Sequence, residues 1–281
     1  MAKKKERGPK TILSPLNNPM PNYAEYYMSA GERLVSFLCL FVAGGAVGLV
    51  FYGGLFQRDG AATLATYISN LVVFVVVGLI AARVFFPAVR NMLKTRRAKA
   101  LRLQFRDMLE TLSTSLASGN TVMDAFLNAR GDMLNQYTEG DLIIQELTEI
   151  EMGLRNGETL ETMLSAFGER SDNEDIQNFS NVISNCFRIG GDFKTAVRKT
   201  RDIITEKMAI EDEIQTKVAS NRLQHNAMCL MPIALVWLIK SMSDTFAENL
   251  ASPIGVVVTT VAIAIYVASY FWGRKIIDIE G

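Results

Sequence analysis

The chain has 281 residues, 29 lysines and arginines against 29 aspartates and glutamates, and 49% hydrophobic residues. The apolar residues gather in blocks near both ends with the charges between them, so the distribution of charge says more than its null sum. Three scattered cysteines, Cys39, Cys186 and Cys229, exclude a disulfide framework, and a single histidine, His225, excludes a paired-histidine zinc motif.

Residues 1–32 read as a tail. Lys3, Lys4, Lys5, Arg7 and Lys10 make it basic, and four prolines between Pro9 and Pro21 predict an extended tether. It lacks the pattern of a signal peptide, because the apolar run starts more than thirty residues in. A first transmembrane hairpin is expected over 33–87. Its spans, 34–56 and 61–82, contain no charge and are joined by the turn Gln57-Arg58-Asp59-Gly60. Gly44 and Gly48 form a G-x-x-x-G step that suits close helix packing, either within the chain or against another subunit.

Residues 88–225 show helical periodicity without a strand signal. A turn pattern recurs three times, as Gly119-Asn-Thr-Val122, Gly157-Glu-Thr-Leu160 and Gly190-Gly191-Asp-Phe193. Each glycine is placed to end one helix, and Asn120 or Thr121, Thr159 and Asp192 are placed to cap the next. Apolar stripes precede each turn. They are Phe105, Met108, Leu109, Leu112 and Leu116; then Ile143, Leu147, Ile150 and Leu154; then Phe179, Val182, Ile183, Cys186 and Ile189. Three αα-hairpins making a six-helix cytoplasmic bundle are the expected arrangement, with a last helix that runs on into the membrane.

A second transmembrane hairpin is expected over 226–273, with spans at about 223–243 and at 254–272. The first of these holds Gln224, His225, Asn226 and Pro232 and is short, so it crosses only if Lys240 snorkels outward; a re-entrant helix is the alternative. Residues 274–281 form a last tail. Lysines and arginines crowd the N-terminal tail, the Arg83–Lys99 segment and Arg274-Lys275, which predicts an all-α, four-span protein with both termini and the central domain cytoplasmic.

No phosphate-binding loop or nucleophile elbow occurs, and no aspartate or glutamate lies within a span. No enzyme, cofactor or metal site is expected. The basic stretch from Arg90 to Arg106 is explained by orientation and membrane lipid rather than by nucleic acid. Glu206, Glu211, Asp212 and Glu213 form an acidic patch that reads as a solvated helix face or a partner-binding face.

The stretch from Phe105 to Gly119, Gly153-Leu-Arg-Asn-Gly157 with Leu160, Gly190-Gly-Asp-Phe193 with Val197, and Met231-Pro232 resemble the platform proteins of the tight-adherence pilus system, in the type II secretion F-domain family. The resemblance covers the chain from about Leu103 to its end. It implies an inner-membrane platform without catalytic residues, associated with a hexameric secretion ATPase, with pilin subunits, and with a second related platform protein or a second copy of itself. A membrane receptor or scaffold recruiting a soluble signalling partner is the alternative, and a small-solute transporter is disfavoured by the uncharged spans.

Overall fold

The computed structural model describes residues 10–55 and 64–279, with side chains described up to residue 273 apart from Asp244. The expected turn Gln57–Gly60, the ends of the spans that flank it, Lys3, Lys4, Lys5 and Arg7, and the side chains of Arg274 and Lys275 lie outside the described residues. Among those residues the chain is all-α apart from one short ribbon. In order it contains β1 (Thr11–Leu13), β2 (Pro19–Pro21), α1 (Ala30–Tyr52), α2 (Leu64–Ala117), α3 (Val122–Met133), α4 (Leu142–Arg155), α5 (Leu160–Ser171), α6 (Glu174–Ile189), α7 (Phe193–Met242), α8 (Asp244–Ala251) and α9 (Pro253–Ile279).

The chain divides into two compact units: Met1–Tyr27 with Arg90–Ala209, and Met28–Val89 with Ile210–Gly281. Two helices belong to both. α2 has 54 residues and α7 has 50, and each stays helical through an internal proline, Pro87 and Pro232 respectively. A proline costs a helix one amide donor and clashes with the preceding turn, but the helix-forming sequence around each one carries through. The run of α7 from Phe193 to Met242 matches the expected last helix. The comparable continuity of α2 was not expected, because the sequence reads as a boundary between 87 and 88, where the transmembrane hairpin gives way to the helical domain.

The first unit is built on one apolar core. Phe105 of α2 lies edge-on to Phe167 of α5 and Phe179 of α6, with ring centroids 6.2 and 5.4 Å apart. Around them, Met108, Leu109 and Leu112 of α2, Ala125 and Phe126 of α3, Ile143 and Leu147 of α4 and Ile204 of α7 are fully buried. Each of the larger side chains contributes about 1.5–3 kcal/mol on leaving water, so the core rests on many comparable contributions and no single anchor. The stripe expected on α2 is buried, and so is that on α4 apart from the half-buried Leu154.

The stripe on α6 needs correction. Ile176, Phe179, Ser180 and Ile183 face inward, whereas Val182 and Ile189 are exposed, Ile189 by 82%. At 100° per residue these two sit about a third of a turn from the centre of the buried face. Ser180 takes the inward place that a purely apolar stripe gave to Val182. The extended tether is also corrected. β1 and β2 pair antiparallel, Thr11 with Pro21 and Leu13 with Pro19. The turn between them is held by the Ser14 amide donating to the Asn18 carbonyl and the Asn17 amide to the Ser14 carbonyl, with Asn17 at positive φ. Prolines are tolerated here because a two-stranded ribbon leaves outward N–H groups unused.

Among the described residues, four helices are long and apolar enough to cross a membrane: Ala30–Tyr52, Leu64–Ala117, Phe193–Met242 and Pro253–Gly273. α1 packs on α2 through small residues. A Cβ on Gly44 would collide with the Ala81 side chain, one on Gly48 would come 2.8 Å from Val77, and one on Gly78 would come 2.7 Å from the Phe41 carbonyl. Phe41 and Phe74 fill the flank, edge to face at 5.4 Å. The connection before α9 is itself helical, α8. Ser243 caps it by accepting the Phe246 amide. Lys240 is engaged rather than free: its ammonium donates to the carbonyls of Val50 and Gly53 at the end of α1. The last carbonyls of a helix have no partner within it, so this lysine supplies donors where they are needed.

Candidate functional site

Three helix ends share one geometry. Gly119, Gly157 and Gly190 have φ of 92°, 89° and 79°. The next residue's amide reaches the carbonyl five residues back each time: Asn120 to Ser115 at 3.3 Å, Glu158 to Gly153 at 2.9 Å and Gly191 to Cys186 at 2.8 Å. This is the Schellman closure, which needs a left-handed residue and therefore favours glycine. A Cβ at any of these three glycines would meet nothing within 4 Å, so the backbone angle alone imposes the residue. Gly191 differs, because its constraint is space: a Cβ would lie 3.0 Å from the Cys186 sulfur. The following helices are capped by Thr121, Thr159 and Asp192, which accept the amides of Asp124, Thr162 and Thr195 at 3.2 Å each. The bonds from Thr195 hold the Asp192 carboxyl below its ordinary range.

The first unit also buries a charged network beside its apolar core. α4 turns two carboxylates inward, Glu146 and Glu149, with 0% and 2% of their surfaces exposed. Arg170 of α5 donates from Nη2 to Glu146 Oε2 at 2.6 Å, and the Tyr23 hydroxyl donates to Oε1 at 2.9 Å. Ser14 donates to Glu149 Oε1 at 2.5 Å, and Asn18 Nδ2 donates to Oε2 at 3.0 Å. The Tyr23 amide donates to the Arg170 carbonyl at 3.0 Å, and the Arg97 guanidinium lies 4.9 Å from the centre of the Tyr23 ring. Arg90 closes the segment by pairing with Glu25 at 2.8 Å.

Every carboxylate oxygen in this network accepts a bond from the chain, so the arrangement seats the 11–25 segment on α4 and α5. An unpaired buried charge costs several kcal/mol, which is why each acid is met by donors. Burial pushes the Glu146 carboxyl above its ordinary range, with Arg170 pulling the other way. Burial, then the neighbouring Glu146, pushes the Tyr23 phenol up. A second polar contact fixes the start of α4: Gln104 of α2 accepts the Ile143 amide and donates to Asp141, both at 3.1 Å.

None of the six network side chains was singled out from the sequence. A signal was present on α4, because Glu146 and Glu149 are spaced three apart on the same stripe as Ile143 and Ile150. The other half, Ser14, Asn18 and Tyr23, sits in a proline-rich stretch with no periodicity to read.

The acidic patch lies along α7. Glu206, Glu211, Asp212 and Glu213 are all exposed on α7, and Glu213 pairs with Lys217 one turn on at 2.7 Å. Adjacent helical positions diverge by 100°, so the patch does not converge on a point. Gly44 and Gly48 pack within the chain, against α2. His225 stacks on Tyr270 with ring centres 5.7 Å apart. Among the described residues no three His, Cys, Asp or Glu side chains are grouped to hold a metal ion. Comparison with family models, with curated proteins and with solved structures finds no match.

Proposed function

We propose that the chain is a non-enzymatic platform of a pilus-assembly machine related to type II secretion, set in the inner membrane with both termini cytoplasmic. The observation that carries this reading is that α2 and α7 each combine an apolar stretch of spanning length with residues of the first unit's core. Phe105 and Ile204 lie on the same unbroken helices as the spans, and a helix without a break is the simplest element to carry a displacement along its axis. The resemblance of the three glycine turns and their flanking stripes to the F-domain family supports the same reading. On it, the end of α2, α3 to α6 and the start of α7 form a six-helix cytoplasmic bundle of three glycine-turned hairpins.

The partners are then a hexameric secretion ATPase below the membrane, pilin subunits within it, and a second related platform protein or another copy of this chain. The exposed acidic residues from Glu206 to Glu213 are the candidate ATPase-facing surface. The test is co-purification of the full chain from its native membrane, with and without added nucleotide, together with filament counts in a deletion strain. The ATPase and a second platform protein are expected to come with it, and filaments are expected to vanish. An unaccompanied chain and a normally piliated deletion strain would overturn the reading.

A further inference from the structure

We propose that the second unit binds one anionic phospholipid in a cleft between α1 and α2, at the charged ends of their apolar stretches. The cleft has a volume of about 910 Å³ and is walled by Leu34, Phe37, Leu79 and Phe86, with Arg33 and Arg83 also lining it. That volume is of the size that holds a small ligand.

The packing puts the two arginines together. Gly44 lies against Ala81 and Gly48 against Val77, so α1 and α2 run antiparallel. Arg33 immediately precedes the first apolar run and Arg83 immediately follows the second, so they meet at the same end. Both are exposed, and no acid pairs with Arg83 among the described residues. The acid nearest to Arg33 in sequence, Glu32, accepts the Ser29 amide at 2.8 Å in the capping box of α1. Ala82, on the cleft floor, is fully buried.

The two chemistries of the cleft select its occupant. Arg33 gives the Met28 carbonyl a bond at 3.4 Å, which leaves it a cation without an acid partner among the described residues, and such cations at a bilayer surface attract phosphate. Apolar walls below them take hydrocarbon, and inorganic phosphate offers none. A phospholipid with a net negative headgroup satisfies both at once, its phosphate on the arginines and a chain between Phe37 and Leu79. The inference rests on α1 and α2 crossing a membrane and needs nothing from the assembly role, so either can fail alone.

The test is native mass spectrometry of the full chain released from nanodiscs containing equal phosphatidylglycerol and phosphatidylcholine with matched chains. One molecule of phosphatidylglycerol is expected to be retained in preference. Arg33→Gln with Arg83→Gln should reduce that preference by about fivefold per arginine, roughly twenty-five-fold in all. Leu79→Trp, which keeps both charges and fills the cleft, should also release the lipid, whereas Arg33→Lys with Arg83→Lys should keep it. If the glutamine pair does not fold, the tryptophan and lysine variants decide. Equal retention of the two lipids would overturn the proposal. So would an equal loss in Arg96→Gln with Lys99→Gln, which removes the same charge elsewhere, or displacement of the lipid by millimolar inorganic phosphate.

Discussion

Glu146 is the residue at which the chain departs furthest from an ordinary helical core. It sits among Ile143, Leu147 and Ile150 with no exposed surface, yet it accepts from Arg170 and Tyr23. Its carboxyl is raised from an ordinary 4.5 because burial disfavours the ion more than Arg170 favours it. The folded chain therefore keeps the proton to higher pH than the unfolded chain does. Over the interval above 4.5, unfolding releases a proton and stability falls as pH rises. Glu146→Gln carries no such proton, so its stability relative to the parent should improve from pH 4.5 upward and level off once the folded chain's carboxyl has ionised. Chemical denaturation of the detergent-solubilised chain, followed by its helical circular dichroism, would show this, and a parallel pair of pH curves would refute it. Why the sequence hides this site is a matter of pairing. An acid on an apolar stripe is visible, but its meaning depends on Ser14, Asn18 and Tyr23, more than a hundred residues away and in a segment with no repeating pattern.

At the scale of elements, much more is legible. The three glycine turns, the caps at Thr121, Thr159 and Asp192, and the inward stripes of α2 and α4 all follow from local rules that act within one or two helical turns. They are readable because cause and effect lie within about five residues. Where a stripe was misjudged, on α6, the polar residue Ser180 was buried and the apolar Ile189 was left outside, a choice made by neighbouring helices and not by α6 itself. The turn glycines predict a contrast. Gly157→Ala forces a side chain into the left-handed region and should cost about 1–2 kcal/mol. Gly131→Ala, in the last turn of α3 with open space around it, should be stabilising by up to about 0.5–1 kcal/mol. Denaturant midpoints of the two variants measure this directly, and equal shifts of the same sign would show that φ is not the constraint.

At the scale of the whole molecule, the first unit is discontinuous in sequence: its N-terminal piece and its helices are separated by residues 28–89 of the second. Ser14→Ala with Asn18→Ala removes both donors to Glu149, and the amides of Asn22 and Tyr23 should then exchange with solvent at least tenfold faster, while that of Phe105 in the core should not. Hydrogen exchange read by mass spectrometry resolves the two. The discontinuity also imposes an order on biosynthesis. Ser14 leaves the ribosome 135 residues ahead of Glu149, a delay of roughly ten seconds at ordinary elongation rates. During that time both hydrophobic stretches of the first hairpin emerge. Residues 11–25 must therefore stay unpaired until α4 and α5 arrive to receive them. A fragment begun at Arg90 would be born with Glu146 and Glu149 facing water that the native chain never lets in.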